Sequence, residues 1–322
     1  MCERDIENVR PNAVKLFSCL VHDGDEATIL EHVHQKCLET LLRIIQSSND
    51  EEEVASAVGI ISNLPENAQI TQWLVDAGAI PVIFRFLCNG GHNDSHRSRL
   101  VENAVGAICR FTAPTNLEWQ KRAAEAGVIP MLVHLLDSGT TLTKNHAATS
   151  LSRFSLSSLK LSRTIPKRKG FWCLSAPPET SCEVHGGICS VESSFCLVEA
   201  DAVRPLVRVL EESDPGVCEA SLDALLTLIE GERLQSGSKV LAQANAITPM
   251  IKFLSSPSIR LQEKALHALE RIFRLPEFKQ KYGPSAQMPL VDLTQRGNSS
   301  MKSLSARILA HLNVLHDQSS YF

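Results

Sequence analysis

Five residues in one stretch of this chain are of types that hold metals: Cys173, Cys182, His185, Cys189 and Cys196. Cys182 and His185 are two residues apart, the gap that lets both side chains reach one zinc ion. The remaining gaps do not repeat a paired knuckle. Cys196 falls on the apolar stretch FCLVEAD, where a buried thiol is the ordinary outcome. The expectation is therefore a plain loop with no metal and no cofactor, and a structural zinc is the alternative. Just before it, Lys160, Arg163, Lys167, Arg168 and Lys169 follow one another with no acid between them. Such a run suits solvent, or an anionic lipid surface at about 1 kcal/mol per charge. Covalent chemistry finds no residue set: the sequence has no Gly-rich phosphate loop, no HExxH and no G-x-S-x-G elbow. His32, His34, His92, His96, His146, His267, His311 and His316 are scattered along the chain. No enzyme is expected.

The elements that must carry these residues are set by a recurring phrase. It reads DAGAIPVIFRFL at 76–87, EAGVIPMLVHLL at 125–136, EADAVRPLVRVL at 199–210 and QANAITPMIKFL at 243–254. Gly78, Gly127, Asp201 and Asn245 are residue types that tolerate a left-handed backbone, so the preceding helix should stop there. Pro81, Pro130, Pro205 and Pro249 follow, where the first turn of a new helix has no use for an amide hydrogen. After each corner comes a longer amphipathic helix: LVENAVGAICRF, NHAATSLSRFSL, VCEASLDALLTLI and LQEKALHALERIF. The pattern extends upstream through 29–64, with 10–20 as the third helix of a shortened repeat. Downstream it runs through 286–294 and 304–315. The spacing matches the ~40 to 47 residues of armadillo and HEAT repeats, and the three-helix repeat with a glycine corner favours armadillo. The predicted fold is all-α, an armadillo-type right-handed superhelix. Its repeats cover 1–158 and 195–316, interrupted by an irregular insertion at 159–194 and followed by a tail at 317–322.

Composition agrees. A net charge of −4 argues against a nucleic-acid binder, which needs a basic stripe to neutralise phosphates. Ten cysteines placed mostly at apolar helical positions suit a reducing compartment. The charged amino terminus is unlike a secretory signal, and no apolar run approaches the ~20 residues that span a bilayer. A cytoplasmic protein is expected, with contact at the inner face of the plasma membrane if the basic run at 160–169 meets lipid.

The corner phrase, the SNLPE after Ile61, the insertion FWCLSAPPETSCEVHGGICSVESSFCLVEADAV and the tail MPLVDLTQRG through LNVLHDQSSYF together resemble the carboxy-terminal armadillo region of plant U-box ubiquitin ligases. That resemblance implies repeats that select a substrate, next to an amino-terminal U-box that recruits the ubiquitin-loaded conjugating enzyme. No U-box-like segment stands in this sequence, so the expectation is the recognition half alone.

Aligned on their apolar pattern, the third helices place Asn63, Arg110, Arg153, Thr227, Arg271 and His311 at equivalent late positions. Armadillo importins characteristically carry Asn there, with Trp four residues earlier. Here the earlier position reads Gly59, Gly106, Thr149, Asp223, His267 and Arg307, so a nuclear-signal clamp is not expected. The groove residues proposed for partner contact are Asn63, Arg110, Arg153, Arg271, His267 and His311. The arginines favour a partner with carboxylates or phosphates, which guanidinium forks grip at two points. The alternative is that each arginine ends a solvated face or pairs with a nearby Glu. The functional expectation is a protein-binding scaffold linked to ubiquitination. A membrane-peripheral or trafficking armadillo or HEAT scaffold is the alternative.

Overall fold

The computed structural model of the chain describes residues 9–88, 95–161, 163–164 and 182–312. They form two compact units, Met1–Leu161 with Ser190–Cys196, and Ser162–Cys189 with Leu197–Phe322. Lys167, Arg168, Lys169, Cys173 and the tail at 317–322 lie outside the described residues, so the membrane expectation for the basic run has no structural counterpart here.

In the first unit, α1 (Val9–Asp23) precedes α2 (Glu26–His32), α3 (Gln35–Ser47) and α4 (Glu51–Asn63). Two further triplets follow, α5 (Ala68–Asp76), α6 (Ala79–Cys88) and α7 (Ser95–Cys109), then α8 (Leu117–Glu125), α9 (Val128–Ser138) and α10 (Thr141–Leu161). The starts are written locally: Asp50, Asn67 and Asn116 each accept two of the orphan amides of α4, α5 and α8. The corners form as the sequence predicts. Gly78 has φ 75 and Gly127 φ 84, and α5 and α6 meet at 80°. Pro81 and Pro130 fall on the third residue of α6 and α9, where no intrahelical bond is lost.

α1, α4, α7 and α10 stack side by side as the third helices of successive repeats. Their inner faces supply Val14, Ile60, Ile61, Val105, Ile108, Leu151 and Phe154, all fully buried. At about 1.5–3 kcal/mol per buried large side chain, this stack is the principal support of the unit. The short α11 (Val191–Ser194) packs on α8 and α10, and Phe195 meets Phe154 edge-on with ring centroids 5.1 Å apart.

The second unit runs α12 (Val203–Val209), α13 (Pro215–Leu226), α14 (Leu234–Gln243), α15 (Ile247–Phe253), α16 (Ile259–Ile272), α17 (Pro276–Arg296) and α18 (Ser299–His311). Its corners are again left-handed, Asp201 at φ 52 and Asn245 at φ 61, with Pro205 and Pro249 third in α12 and α15. Two expectations change. The last repeat has no corner, because no residue of 276–296 takes the left-handed conformation and α17 runs unbroken through Pro284 and Pro289. The insertion is also less irregular than its sequence suggests. α10 continues through Leu161, and β1 (Arg163–Thr164) pairs antiparallel with β2 (Gly187–Ile188). Among the described residues no single helix is long and apolar enough to cross a membrane.

Candidate binding face of the third helices

The late positions of the third helices were read as groove contacts, and the structure shows what their side chains do. Arg110 is only 6% exposed; Nη1 donates to Pro65 O at 2.9 Å and Nη2 to Leu64 O. Arg153 Nη1 donates to Cys109 O at 3.1 Å, and Nη2 donates to the Glu66 carboxylate at 2.8 Å. Arg271 Nη2 donates to Ile229 O, and His311 Nε2 donates to Phe273 O at 3.0 Å. Every carbonyl acceptor is at or just past the carboxy-terminal end of the preceding third helix, where carbonyls have no intrahelical donor and the helix dipole favours a cation.

Where the late residue is Arg110, Arg153 or Arg271, it therefore caps the helix of the repeat before it. Charge-assisted bonds of this kind contribute about 1.5–3 kcal/mol each. Burial pushes the Arg110 guanidinium down to about 10, and the side chain still stays charged near neutrality. For Arg153, burial acts downward, but the Cys109 and Glu66 charges outweigh it and hold the guanidinium above its usual range. Arg110, Arg153 and Arg271, expected to grip a partner's carboxylates or phosphates, each donate to a backbone carbonyl of the repeat before, and Arg153 also pairs with Glu66, the alternative the sequence offered. Asn63 and His267 remain exposed, as does the ring of His311 beside its carbonyl bond.

One turn earlier, the two compact units differ. In the first, glycines occupy the position on α4 and α7, and Thr149 occupies it on α10. A methyl group on Gly59 would come to 2.7 Å from Asn103 Nδ2, and one on Gly106 would strike Ser62 Oγ. Asn103 Nδ2 donates to Ala55 O at 2.8 Å, so α4 and α7 touch through backbone and short polar side chains. Glu53, fully buried, accepts from Arg10 Nε at 2.7 Å and Nη2 at 2.8 Å, and also from Ser48. Burial would raise its carboxyl, yet the Arg10 and Ser48 hydrogen bonds hold it below the usual carboxylate range.

In the second unit the corresponding face is laced with surface charge. Lys264 of α16 reaches Asp223 at 2.6 Å and Glu219 at 2.9 Å on α13, and Arg260 reaches Glu219 at 3.2 Å. His267 stands one turn beyond Lys264 and one turn before Arg271 on α16. A small cavity of about 100 Å³ opens between α16 and α18, lined by Glu270, Phe273, Arg274, Arg307, Ile308 and His311.

Sequence reading missed Glu66 and Lys264. Glu66 ends the SNLPE stretch that follows Ile61, and a repeat-length offset from Arg153 across two repeats was the available signal. Trp119 is buried and donates to Gln72 Oε1 of the preceding repeat at 3.0 Å. Elsewhere in the second unit, the turn after residue 181 brings Cys182, His185 and Cys189 together, where an unorganised loop was expected.

No protein-family model matches the chain. Among known proteins it is 32% identical over 316 residues to U-box domain-containing protein 24 of Oryza sativa subsp. japonica, covering 88% of this chain and 38% of that protein. It is 30% identical over 292 residues to U-box domain-containing protein 44 of Arabidopsis thaliana, covering 84% and 36%. The chain thus spans little more than a third of the length of these relatives. Among solved structures it resembles the designed armadillo repeat protein YIII(Dq)4CqI, with a TM-score of 0.62 at 22% identity over 84% of this chain and 95% of the other. It also resembles a designed armadillo repeat protein solved in complex with the peptide (KR)4, with a TM-score of 0.60 at 20% identity over 85% and 99%. The all-α repeat fold is of the armadillo type.

Proposed function

Because this chain is a relative of the plant U-box domain-containing proteins and has the armadillo-repeat fold, we propose that it is a protein-binding scaffold, holding a polypeptide segment on the exposed part of its third-helix faces. In a ubiquitin-ligase setting that segment belongs to the substrate, and the ubiquitin transfer itself is the task of a U-box. The observation that carries the reading is the division of labour on the third helices. The arginines expected to bind a partner donate to carbonyls of the repeat before, whereas Asn63 on α4 and His267 on α16 are exposed. An armadillo protein of similar fold is known with a peptide bound, which supports a peptide-sized ligand.

The test is selection of binding peptides from a displayed library against the purified chain, followed by titration of N63A and H267A separately. Selected peptides whose affinity falls several-fold with either substitution, with thermal stability unchanged, support the proposal. Failure to select any peptide, or peptides indifferent to both substitutions, overturns it. A reconstituted ubiquitination reaction stimulated by this chain alone would overturn the assignment of the chemistry to a separate domain.

A further inference from the structure

We propose that the second compact unit binds one structural zinc ion through the thiolates of Cys182 and Cys189 and Nδ1 of His185. The site is built by a tight turn. Cys182 N–H donates to Gly187 O at 2.9 Å and Gly186 N–H donates to Cys182 O at 2.8 Å, with Gly186 left-handed at φ 62. The next two residues form β2 against β1, which aims Cys189 back at the turn. His185 Nδ1 then lies 3.4 Å from Cys182 Sγ and 3.3 Å from Cys189 Sγ, and all the ligand atoms of the cluster are within 4.8 Å of one another.

Those separations suit a metal. Zinc–sulfur and zinc–nitrogen bonds of about 2.3 and 2.05 Å, opened to a tetrahedral angle, put sulfur and nitrogen about 3.5 Å apart and two sulfurs about 3.8 Å apart. A single Nδ1 hydrogen cannot be given fully to two sulfurs at once, whereas one cation between them satisfies all three ligands. The turn is also anchored: Cys182 and Val184 are 3% and 4% exposed, and Val184 O accepts from Ser236 Oγ of α14 at 3.3 Å. Structural zinc sites draw on thiolates and imidazoles, and this turn supplies three such ligands in the order Cys-x2-His-x3-Cys.

One contact must change on loading. Arg233 Nη1 lies 2.8 Å from His185 Nε2, and a guanidinium can only donate. Metal at Nδ1 leaves the imidazole hydrogen on Nε2, so this contact gives way and Arg233 keeps its Nη2 bond to Thr227 O at 2.7 Å. Substituting Arg233 should therefore preserve zinc binding, while substituting the ligands abolishes it.

The full chain, expressed with zinc and purified under reducing conditions, should carry about one zinc per chain by elemental analysis. The C182S/C189S variant should fall below about a tenth of that, and R233Q should keep it. Chelating the metal should lower the Tm by about 5 °C or more. Should the double variant fail to fold, replacing zinc by cobalt in the unaltered chain gives an independent reading, since a tetrahedral thiolate site turns it visibly coloured. Wild-type protein without zinc or a cobalt spectrum overturns the proposal, as do metal content unchanged in C182S/C189S and recovery of the two thiols as a disulfide.

Discussion

The third helices of the first compact unit meet through glycine, buried arginine and a buried carboxylate, whereas those of the second meet through lysine and acidic groups at the surface. Gly59 and Gly106 let α4 and α7 approach until side chains touch backbone, and Arg110 caps α4 from inside that contact. In the second unit, Lys264 spans from α16 to Asp223 and Glu219 of α13 at a half-buried ion pair. The difference teaches that equivalent positions in a repeat need not share a role. One face is spent on cohesion, and the other keeps polar groups near solvent.

The comparison breaks first at Arg110. R110M leaves the Leu64 and Pro65 carbonyls without their donor, and the first unit should lose about 3 kcal/mol in urea unfolding. If the loss is negligible, the capping role is wrong. G106A should cost about 1–3 kcal/mol through overpacking against Ser62, read from the same unfolding midpoint, whereas T149A at the equivalent position of α10 should cost less.

Acid sharpens the contrast through two groups of the first unit. His146, lowered mainly by burial and then by the Arg153 charge, is held neutral. Its stabilisation is complete above the ordinary 6.5 and is lost as the pH falls through its depressed native value. Glu53, lowered by Arg10 and Ser48 against its burial, contributes fully above 4.5 and loses that contribution at still lower pH. Hydrogen exchange across this range should show α4, α7 and α10 loosening in two stages, and E53Q should remove the lower one. The smallest effect belongs to K264A, about 1 kcal/mol and shrinking further in salt, because the pair is half-exposed. A larger, salt-independent loss would erase the distinction between the two faces.

Much of this architecture was legible in residue types. Gly78, Gly127, Asp201 and Asn245 announced four left-handed corners, and all four are left-handed. The unbroken α17 was not legible, since the repeat pattern was read as resuming only at 286 and the helix runs from Pro276 through Pro284 and Pro289. Nor did the apolar pattern tell whether a late arginine turns to solvent or back to the previous repeat. The clue was periodic: the carbonyl accepting from Arg153 lies 44 residues upstream, and that accepting from Arg271 lies 42 upstream, each about one repeat. For Cys182, His185 and Cys189, spacing alone left a loop and a metal site open, because the turn that gathers them depends on Gly186 and on pairing with β1.

The most direct test of the claim that arginines hold the repeats while their exposed neighbours bind is a paired titration of H267A and R271A, one turn apart on α16, with a selected peptide. The account predicts that R271A lowers unfolding stability by about 1.5–3 kcal/mol and leaves the affinity of the folded chain unchanged. H267A should weaken binding several-fold at full stability. The reverse pattern, with R271A as stable as wild type and unable to bind, would contradict it.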